Sequence, residues 1–99
     1  MSFNVKTTGV FLEQVRALSK GARKLVGSKI DLITENPFRF KRIHSKKFPK
    51  VFRVRLSLDG IETRLIYLVA EPDVIIACLL ERKDDYADLE KMLEKSLKE

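Results

Sequence analysis

The dipeptide Asp59-Gly60 joins two segments in which apolar and polar residues alternate, VFRVRLSL before it and IETRLIYLV after it. A two-residue Asp-Gly turn between alternating segments is the strongest short-range signal of a β-hairpin. Such a turn also fixes the strand register, so Leu58 is predicted to lie opposite Ile61 and every further pair follows. The hairpin therefore has two defined faces.

One predicted face of the hairpin is almost entirely apolar. It comprises Phe52, Val54, Leu56, Leu58, Ile61, Thr63, Leu65, Tyr67 and Val69. A sheet face of this composition has to be covered, and the amphipathic helices predicted elsewhere in the chain are suited to cover it.

The segment before the hairpin predicts one strand and two helices. Apolar and polar residues alternate from Phe3 to Lys6, as in a short strand. Thr7 or Thr8 suits the N-cap of a first helix, which Gly21 is expected to end. The dipeptide Asn36-Pro37 ends the second helix. The apolar stripes of the two helices comprise Phe11, Val15 and Leu18, then Val26, Ile30 and Ile33.

The segment after the hairpin predicts one strand and one helix. Pro72-Asp73 forms a turn, and the apolar run from Val74 to Leu80 is typical of a strand buried on both sides. Asp84 or Asp85 suits the N-cap of a last helix. Its apolar stripe comprises Leu89, Leu93 and Leu97.

These elements define the fold class. The order is β-α-α-β-β-β-α, an α+β fold in which two N-terminal helices pack on one face of a twisted, mainly antiparallel sheet and a C-terminal helix follows. The 99 residues are expected to form a single domain, residues 1–99.

The second face of the hairpin is predicted to be free of helices and rich in arginine. The register pairs Arg55 directly with Arg64, although like charges in opposite positions destabilise an antiparallel pair by up to about 1 kcal/mol. With Arg53, these side chains could hold a phosphate, because each guanidinium offers a planar fork of donors. The alternative is a solvated face that Glu62 and a C-terminal acid such as Asp88 neutralise.

Positive charge is concentrated in the middle of the sequence. The segment from Asn36 to Leu58 holds eight basic residues and no acidic one, whereas Asp84 to Glu99 has a net charge of −3. A compact basic segment suits a polyanionic partner, most often nucleic acid. A merely solvated basic surface would explain it equally well. The candidate RNA-binding residues in this segment are Lys41, Arg42, Lys46, Lys47 and Lys50.

Several function classes are disfavoured by composition. Cys78 and His44 are the sole residues of their types, so neither an internal disulfide nor a zinc site of several Cys or His ligands is expected. Cys78 is expected to be a core strand residue. His44 is either a solvent-exposed loop residue or an acid or base near neutral pH. No apolar segment suits a secretory signal or a membrane span, so a cytoplasmic protein is expected. No cofactor is expected either.

Arg82 and Tyr86 lie close together between the last predicted strand and the last helix. Arg82 could project toward Arg64, depending on the preceding loop. A tyrosine beside arginines can stack on a base, although it could equally be a packing residue at the start of a helix.

Taken in order, these motifs resemble the RelE/ParE superfamily of bacterial and archaeal toxins. The resemblance runs nearly end to end: ENP at Glu35-Asn36-Pro37, a basic stretch, FRVRL at Phe52–Leu56, RLIY at Arg64–Tyr67 and RKDDY at Arg82–Tyr86. It implies a fold like that of small microbial ribonucleases. For the RelE branch, it implies cleavage of mRNA in the ribosomal A site, and inhibition by an antitoxin that wraps the sheet and displaces or masks the last helix.

The resemblance also implies roles for individual residues. Arg53 and Arg55 match the two basic positions of one strand, Arg64 the central arginine, and Arg82 and Tyr86 the late pair. Arg53 and Arg64 would neutralise charge on the phosphoryl oxygens, Arg82 would support the leaving 5′-oxygen, and Tyr86 would stack on a base.

The general base remains open, because lysine is often found where this chain has arginine, and arginine is a poor base. The candidates are Glu62, Glu81, Tyr86 and His44, or catalysis by positioning and charge alone. Two other functions also remain open: a ParE-like poison of DNA gyrase, and a non-catalytic module of the same fold that binds RNA or a protein partner.

Overall fold

The computed structural model describes residues 3–84 and 86–98 of the chain. Within these ranges lie five strands and three helices in α+β arrangement. Their bounds are β1 (Asn4–Thr7), α1 (Gly9–Arg16), α2 (Lys20–Glu35), β2 (Lys41–Ile43), β3 (Val51–Leu58), β4 (Ile61–Ala70), β5 (Asp73–Glu81) and α3 (Tyr86–Leu97). None of the helices in this part of the chain is both long and apolar enough to cross a membrane.

The predicted hairpin is confirmed in its turn and in its register. Asp59 and Gly60 both have positive φ, 51° and 82°, as a type I′ turn requires. Leu58 pairs with Ile61, and Arg55 pairs with Arg64. The turn chemistry and the alternation of the strands thus specify the same pairing.

The sheet has the strand order β1-β5-β4-β3-β2. β1 runs parallel to β5 and the other neighbours are antiparallel, so the prediction of a mainly antiparallel sheet is confirmed. The predicted element order lacked β2, a three-residue strand that pairs Lys41 with Arg53 and Ile43 with Val51. A strand this short presents no alternation that could separate it from a basic loop.

The first hydrophobic core lies between the sheet and the two N-terminal helices, as predicted. Phe11 of α1 and Ile33 of α2 are buried against the apolar hairpin face. Tyr67 stacks on Phe52 with 5.3 Å between ring centroids, and its hydroxyl donates to the carbonyl of Pro37 at 2.6 Å. Burial raises the pKa of this phenol. The aromatic residue of the RLIY motif is therefore a core residue.

The boundary between α1 and α2 lies earlier than predicted. Thr8 is the N-cap of α1, but the helix ends at Arg16, and Gly21 lies inside the first turn of α2. Ser19 caps α2 by accepting from the backbone N–H of Ala22 at 3.1 Å. Its own backbone and hydroxyl donate to the carboxylate of Asp59, which joins the helix to the hairpin turn. These hydrogen bonds lower the pKa of Asp59.

We expect a Ser19→Ala variant to lose about 1–2 kcal/mol of unfolding free energy, because it loses the helix cap and the link to the turn together. Urea denaturation followed by circular dichroism measures this. The matched control is Ser28→Ala, whose exposed hydroxyl only donates to the carbonyl of Lys24 one turn earlier. Equal stability of the two variants would contradict the expectation.

The second sheet face is not free of helices, which corrects the prediction. Leu89 and Leu93 of α3 are 1% and 0% exposed and pack against Ile66, Leu68 and Leu80 on this face. Part of the face is apolar and has to be covered, whereas the part with Arg55 and Arg64 lies beyond this cluster. Asp85, one of the two predicted caps of α3, lies outside the described residues.

Candidate functional site: an arginine face beside the last helix

Arg55 and Arg64 form a directly opposed pair of the β3–β4 ladder. The carbonyl of Lys50 accepts from the N–H of Val69 at 3.1 Å, which places the hydrogen-bonded pairs at the even-numbered residues of β3. Arg55 and Arg64 are therefore a non-hydrogen-bonded pair, the type in which opposed Cα atoms come closest, at about 4.5 Å. The fold thus holds two positive side chains on one small area of the sheet.

Arg64 is the buried member of the pair. It is 9% exposed, and its Nη2 atom donates to the carbonyls of Glu81 at 3.2 Å and Asp84 at 2.6 Å. Its Nε atom is buried and has no hydrogen-bond partner in the described part of the chain. Arg64 therefore has a structural role, because its guanidinium holds the backbone that follows β5. Its positive charge lies just below the protein surface, next to Arg55.

The two other predicted arginines lie next to this pair. Arg53 is half-buried and is one alternation from Arg55 on β3, on the same side of the sheet. Arg82 is exposed and follows β5, and its backbone N–H donates to the carbonyl of Glu62 at 2.9 Å. This hydrogen bond extends the β4–β5 register by one residue, so Arg82 directly continues the part of the sheet that carries Arg64. We use "arginine face" for Arg53, Arg55, Arg64 and Arg82.

Tyr86, the fifth predicted catalytic residue, is the first residue of α3. Its side chain lies outside the described part of the structure, so the predicted stacking role stays a prediction.

Within the described residues, no carboxylate pairs with the two arginines at the centre of the arginine face. Among residues 3–84 and 86–98, neither Arg55 nor Arg64 forms an ion pair with Glu62 or with another acid. Two like charges held this close together repel each other and raise the electrostatic energy of the face. An anion bound there would lower it.

The predicted RNA-binding residues occupy three different places. Lys41 pairs with Arg53 and shares its side of the sheet, whereas Arg42 pairs with Phe52 and lies on the side of the N-terminal helices. The lysines of the loop after β2 lie elsewhere. In that loop Lys46 is exposed, and Lys47 forms an ion pair with Glu94 of α3. The ammonium of Lys50 forms an ion pair with the carboxylate of Glu71 at 3.6 Å.

The loop after β2 is attached to the last helix by two polar contacts. The hydroxyl of Ser45 donates to Glu90 at 3.1 Å, and the ammonium of Lys47 donates to Glu94. The second contact raises the pKa of Lys47 and lowers that of Glu94. Glu94 of α3 thus forms an ion pair with one of the lysines predicted to bind RNA.

A basic cavity opens where β2 begins beside β3. Its volume is about 460 Å³, and its lining comprises Lys29, Phe40, Lys41, Arg53, Val54 and Arg55. Lys29 was not predicted, because a lysine on a helix gives no signal in the sequence that it will face a sheet edge. The cavity shares Arg53 and Arg55 with the arginine face.

The remaining titratable candidates are distinguished by their positions. Cys78 is fully buried in the second core, and burial raises the pKa of its thiol to about 12, so its predicted role as a core residue is confirmed. Glu81 lies at the end of β5 and pairs with Lys83 at 3.2 Å. Glu62 lies on the arginine side of β4, one alternation from Arg64. His44 is exposed and directly follows β2.

Solved structures that are similar in fold include a toxin and toxin–antitoxin complexes. A double-arginine mutant of the E. coli toxin RelE in the free state has a TM-score of 0.66 at 18% identity, covering 99% of this chain and 97% of that one. The E. coli RelBE toxin–antitoxin complex gives 0.65 at 18%, covering 84% and 100%. The archaeal RelE–RelB complex from Pyrococcus horikoshii gives 0.61 at 19%, covering 86% and 100%.

These likenesses establish the fold: the chain is built as the RelE toxins are, over nearly its full length. No model of a known protein family and no curated protein matches the sequence.

Proposed function

We propose that this protein is the toxin of a type II toxin–antitoxin system, an endoribonuclease that cleaves mRNA on the ribosome. One observation supports this most: Arg64 is buried, directly opposes Arg55, and forms no ion pair with a described carboxylate. Such a pair is costly for the sheet unless the face binds an anion, and the fold is that of the RelE toxins.

In the proposed reaction, the ribose 2′-oxygen attacks the adjacent phosphorus. A bond forms between this oxygen and phosphorus, and the bond from phosphorus to the 5′-oxygen of the next nucleotide breaks. The products are a 2′,3′-cyclic phosphate and a free 5′-hydroxyl. The 2′-hydroxyl loses its proton to a base, and the leaving oxygen gains one.

The arginines act on charge in this reaction. Arg53 and Arg64 would neutralise the phosphoryl oxygens with guanidinium donors, and Arg55 would extend the same donor set. Arg82, beyond β5, would support the leaving oxygen. Among the candidates for the base, Glu62 is the carboxylate on the arginine side of the hairpin, one alternation from Arg64. Water or the ribosome could equally accept the proton.

The partner of the proposed toxin is an antitoxin protein. Two of the similar structures are complexes of a toxin with its antitoxin. For this chain, a segment with acidic residues would suit the arginine face, and apolar residues would suit the sheet surface beneath α3.

Expression of the chain alone tests the proposal. We expect growth arrest with translated mRNA cut at positions that primer extension maps, and protection by co-expression of the cognate antitoxin. Intact mRNA together with inhibited DNA supercoiling would overturn the proposal and support a gyrase poison instead. RNA binding without cleavage would support a non-catalytic binding module.

We further expect RNA binding to weaken steeply with salt, because the contacts would be mainly to phosphates. Each neutralised phosphate of a single strand contributes a slope of about −0.7 to the plot of log affinity against log salt concentration. Fluorescence anisotropy with a labelled oligonucleotide between 50 and 200 mM salt, about the range in which such contacts dominate, measures the slope. A flat response would contradict binding led by phosphates.

A further inference from the structure

The outer edge of β3 is paired only in part. β2 covers this edge from Val51 to Arg53 only, because its first residue, Lys41, lies opposite Arg53. Because the even-numbered residues of β3 bond to β4, the N–H groups of Arg55 and Ser57 point to the other side, beyond the first residue of β2. In the described part of the chain, no residue accepts a hydrogen bond from either group.

The opposite edge of the sheet shows how this fold closes such a gap. There β1 also ends early, but side chains of α1 and of its N-cap residue form hydrogen bonds with the backbone of β5. The hydroxyl of Thr8 donates to the carbonyl of Ala77 at 2.6 Å. The amide of Gln14 donates to the carbonyl of Leu79 at 2.9 Å and accepts from its N–H at 2.7 Å. Among the residues that the structure describes, none closes the edge at Arg55 in this way.

The open edge forms one wall of the basic cavity. The described residues that line its 460 Å³ include four cationic side chains and no carboxylate. Within the described residues, Lys29, Lys41 and Arg55 form no ion pair. The cavity therefore offers backbone N–H, ammonium and guanidinium donors to one occupant, which has to be an anion rich in acceptor oxygens.

A phosphodiester backbone fits this set of donors better than an acidic peptide strand does. Backbone N–H, lysine and arginine are the usual donors to phosphate. Only Arg55 and Ser57 present outward groups on the open edge, which is too little for a stable added strand. Phe40 gives the cavity an aromatic wall, suited to an unstacked base. Arg53 and Arg55 belong to both sites, so one RNA strand can pass from one to the other.

We infer that this cavity is a second phosphate-binding site, in which Lys29 of α2 and Lys41 of β2 hold the RNA backbone next to the nucleotide on the arginine face. The choice of RNA as ligand rests on the proposed function. The site itself rests on the open edge and the four cations. Lys29 and Lys41 are positioning residues here, since they contact the strand away from the bond that is cut.

The experiment uses a fluorescein-labelled oligonucleotide of ten 2′-O-methyl nucleotides, which binds but cannot be cleaved. The variants are Lys29→Gln and Lys41→Gln, which keep much of the aliphatic stem, and the control is Lys24→Gln, an exposed lysine of the same helix. We expect each test variant to bind about 3–10-fold more weakly and to lose about 0.7 of the salt slope, as for one phosphate contact. Lys24→Gln should change neither, and Lys29→Arg should restore binding.

Equal effects at Lys24 and Lys29 would overturn the inference, because a diffuse positive field would then explain them. The inference would also be overturned if a glutamate-rich peptide bound to the protein and lost affinity in the Lys29 variant, whereas binding of the oligonucleotide did not depend on Lys29. The two proposals fail separately. If the unaltered chain cleaves mRNA but Lys29→Gln does not weaken binding, only the second site is refuted. The expected binding losses without any cleavage of mRNA refute the proposed function alone.

Discussion

An Arg82→Ala variant is expected to cleave translated mRNA at least about 10²-fold more slowly than the unaltered chain, the effect of losing one donor to a developing oxyanion. Arg82 is exposed, and the hydrogen bond to Glu62 uses its backbone N–H, which alanine keeps. Stability should therefore change by less than about 0.5 kcal/mol. Single-round cleavage on programmed ribosomes, together with thermal denaturation, separates the two effects.

Arg64→Ala is expected to lose activity to a similar extent and stability as well. The variant removes the donors to the carbonyls of Glu81 and Asp84, which costs about 1–3 kcal/mol. Arg16→Ala is the control, because Arg16 is an exposed arginine at the end of α1. Unchanged cleavage by Arg82→Ala, with Arg64→Ala impaired only as far as it unfolds, would mean that the arginine face is structural.

The hairpin could be predicted from sequence because two independent signals agree there. Asp59-Gly60 fixes the turn, and the alternation on both sides fixes the faces, so the opposition of Arg55 and Arg64 followed without other information. This part of the site depends on local interactions alone. The burial of the run from Val74 to Leu80 was equally local, since a continuous apolar strand has no polar face to expose.

The docking of α3 depends on contacts between distant segments. The stripe with Leu89 and Leu93 predicted a helix with a buried side, but it is compatible with either face of the sheet. The helix packs on the arginine side because that side carries an apolar area, which consists of Ile66, Leu68 and Leu80. The alternation of β4 placed the first two there, whereas a strand apolar on both faces hides the orientation of Leu80.

Arg64 shows why the chemistry of the site was only partly predictable. Register placed its Cα opposite Arg55, but its burial depends on where the connection between β5 and α3 runs. Its side chain donates to the backbone carbonyls of Glu81 and Asp84, and no sequence pattern indicates which backbone carbonyls an arginine will bind. The same holds for Lys29, whose place in the cavity depends on the angle at which α2 crosses the sheet.

In the free protein, we expect the amide protons of α3 to exchange faster than those of β5, by at least about tenfold. α3 is attached to the sheet by a narrow apolar stripe centred on Leu89 and Leu93 and by polar contacts of Glu90 and Glu94 with the loop after β2. β5 lies between two strands and is buried on both faces. The helix can therefore open without breaking the sheet, whereas β5 is exposed only by global unfolding.

A Leu93→Ala variant should widen this difference. Truncating a fully buried leucine costs about 2–5 kcal/mol, which corresponds to exchange in α3 that is roughly 30-fold faster or more. Leu12→Ala is the matched control, because Leu12 is 45% exposed and its truncation should leave α3 unchanged. Hydrogen exchange measured by mass spectrometry or NMR resolves the two segments.

The outcome bears directly on inhibition. If an antitoxin segment replaces α3, it has to cover Ile66, Leu68 and Leu80 and approach the arginine face, so binding should slow exchange at Arg55 while residues 86–97 stay fast. Displacing α3 would also release Lys47 from Glu94. If α3 exchanges as slowly as β5 in the free protein and remains protected in the complex, the helix is a fixed part of the fold, and inhibition has to act on the arginine face with α3 in place.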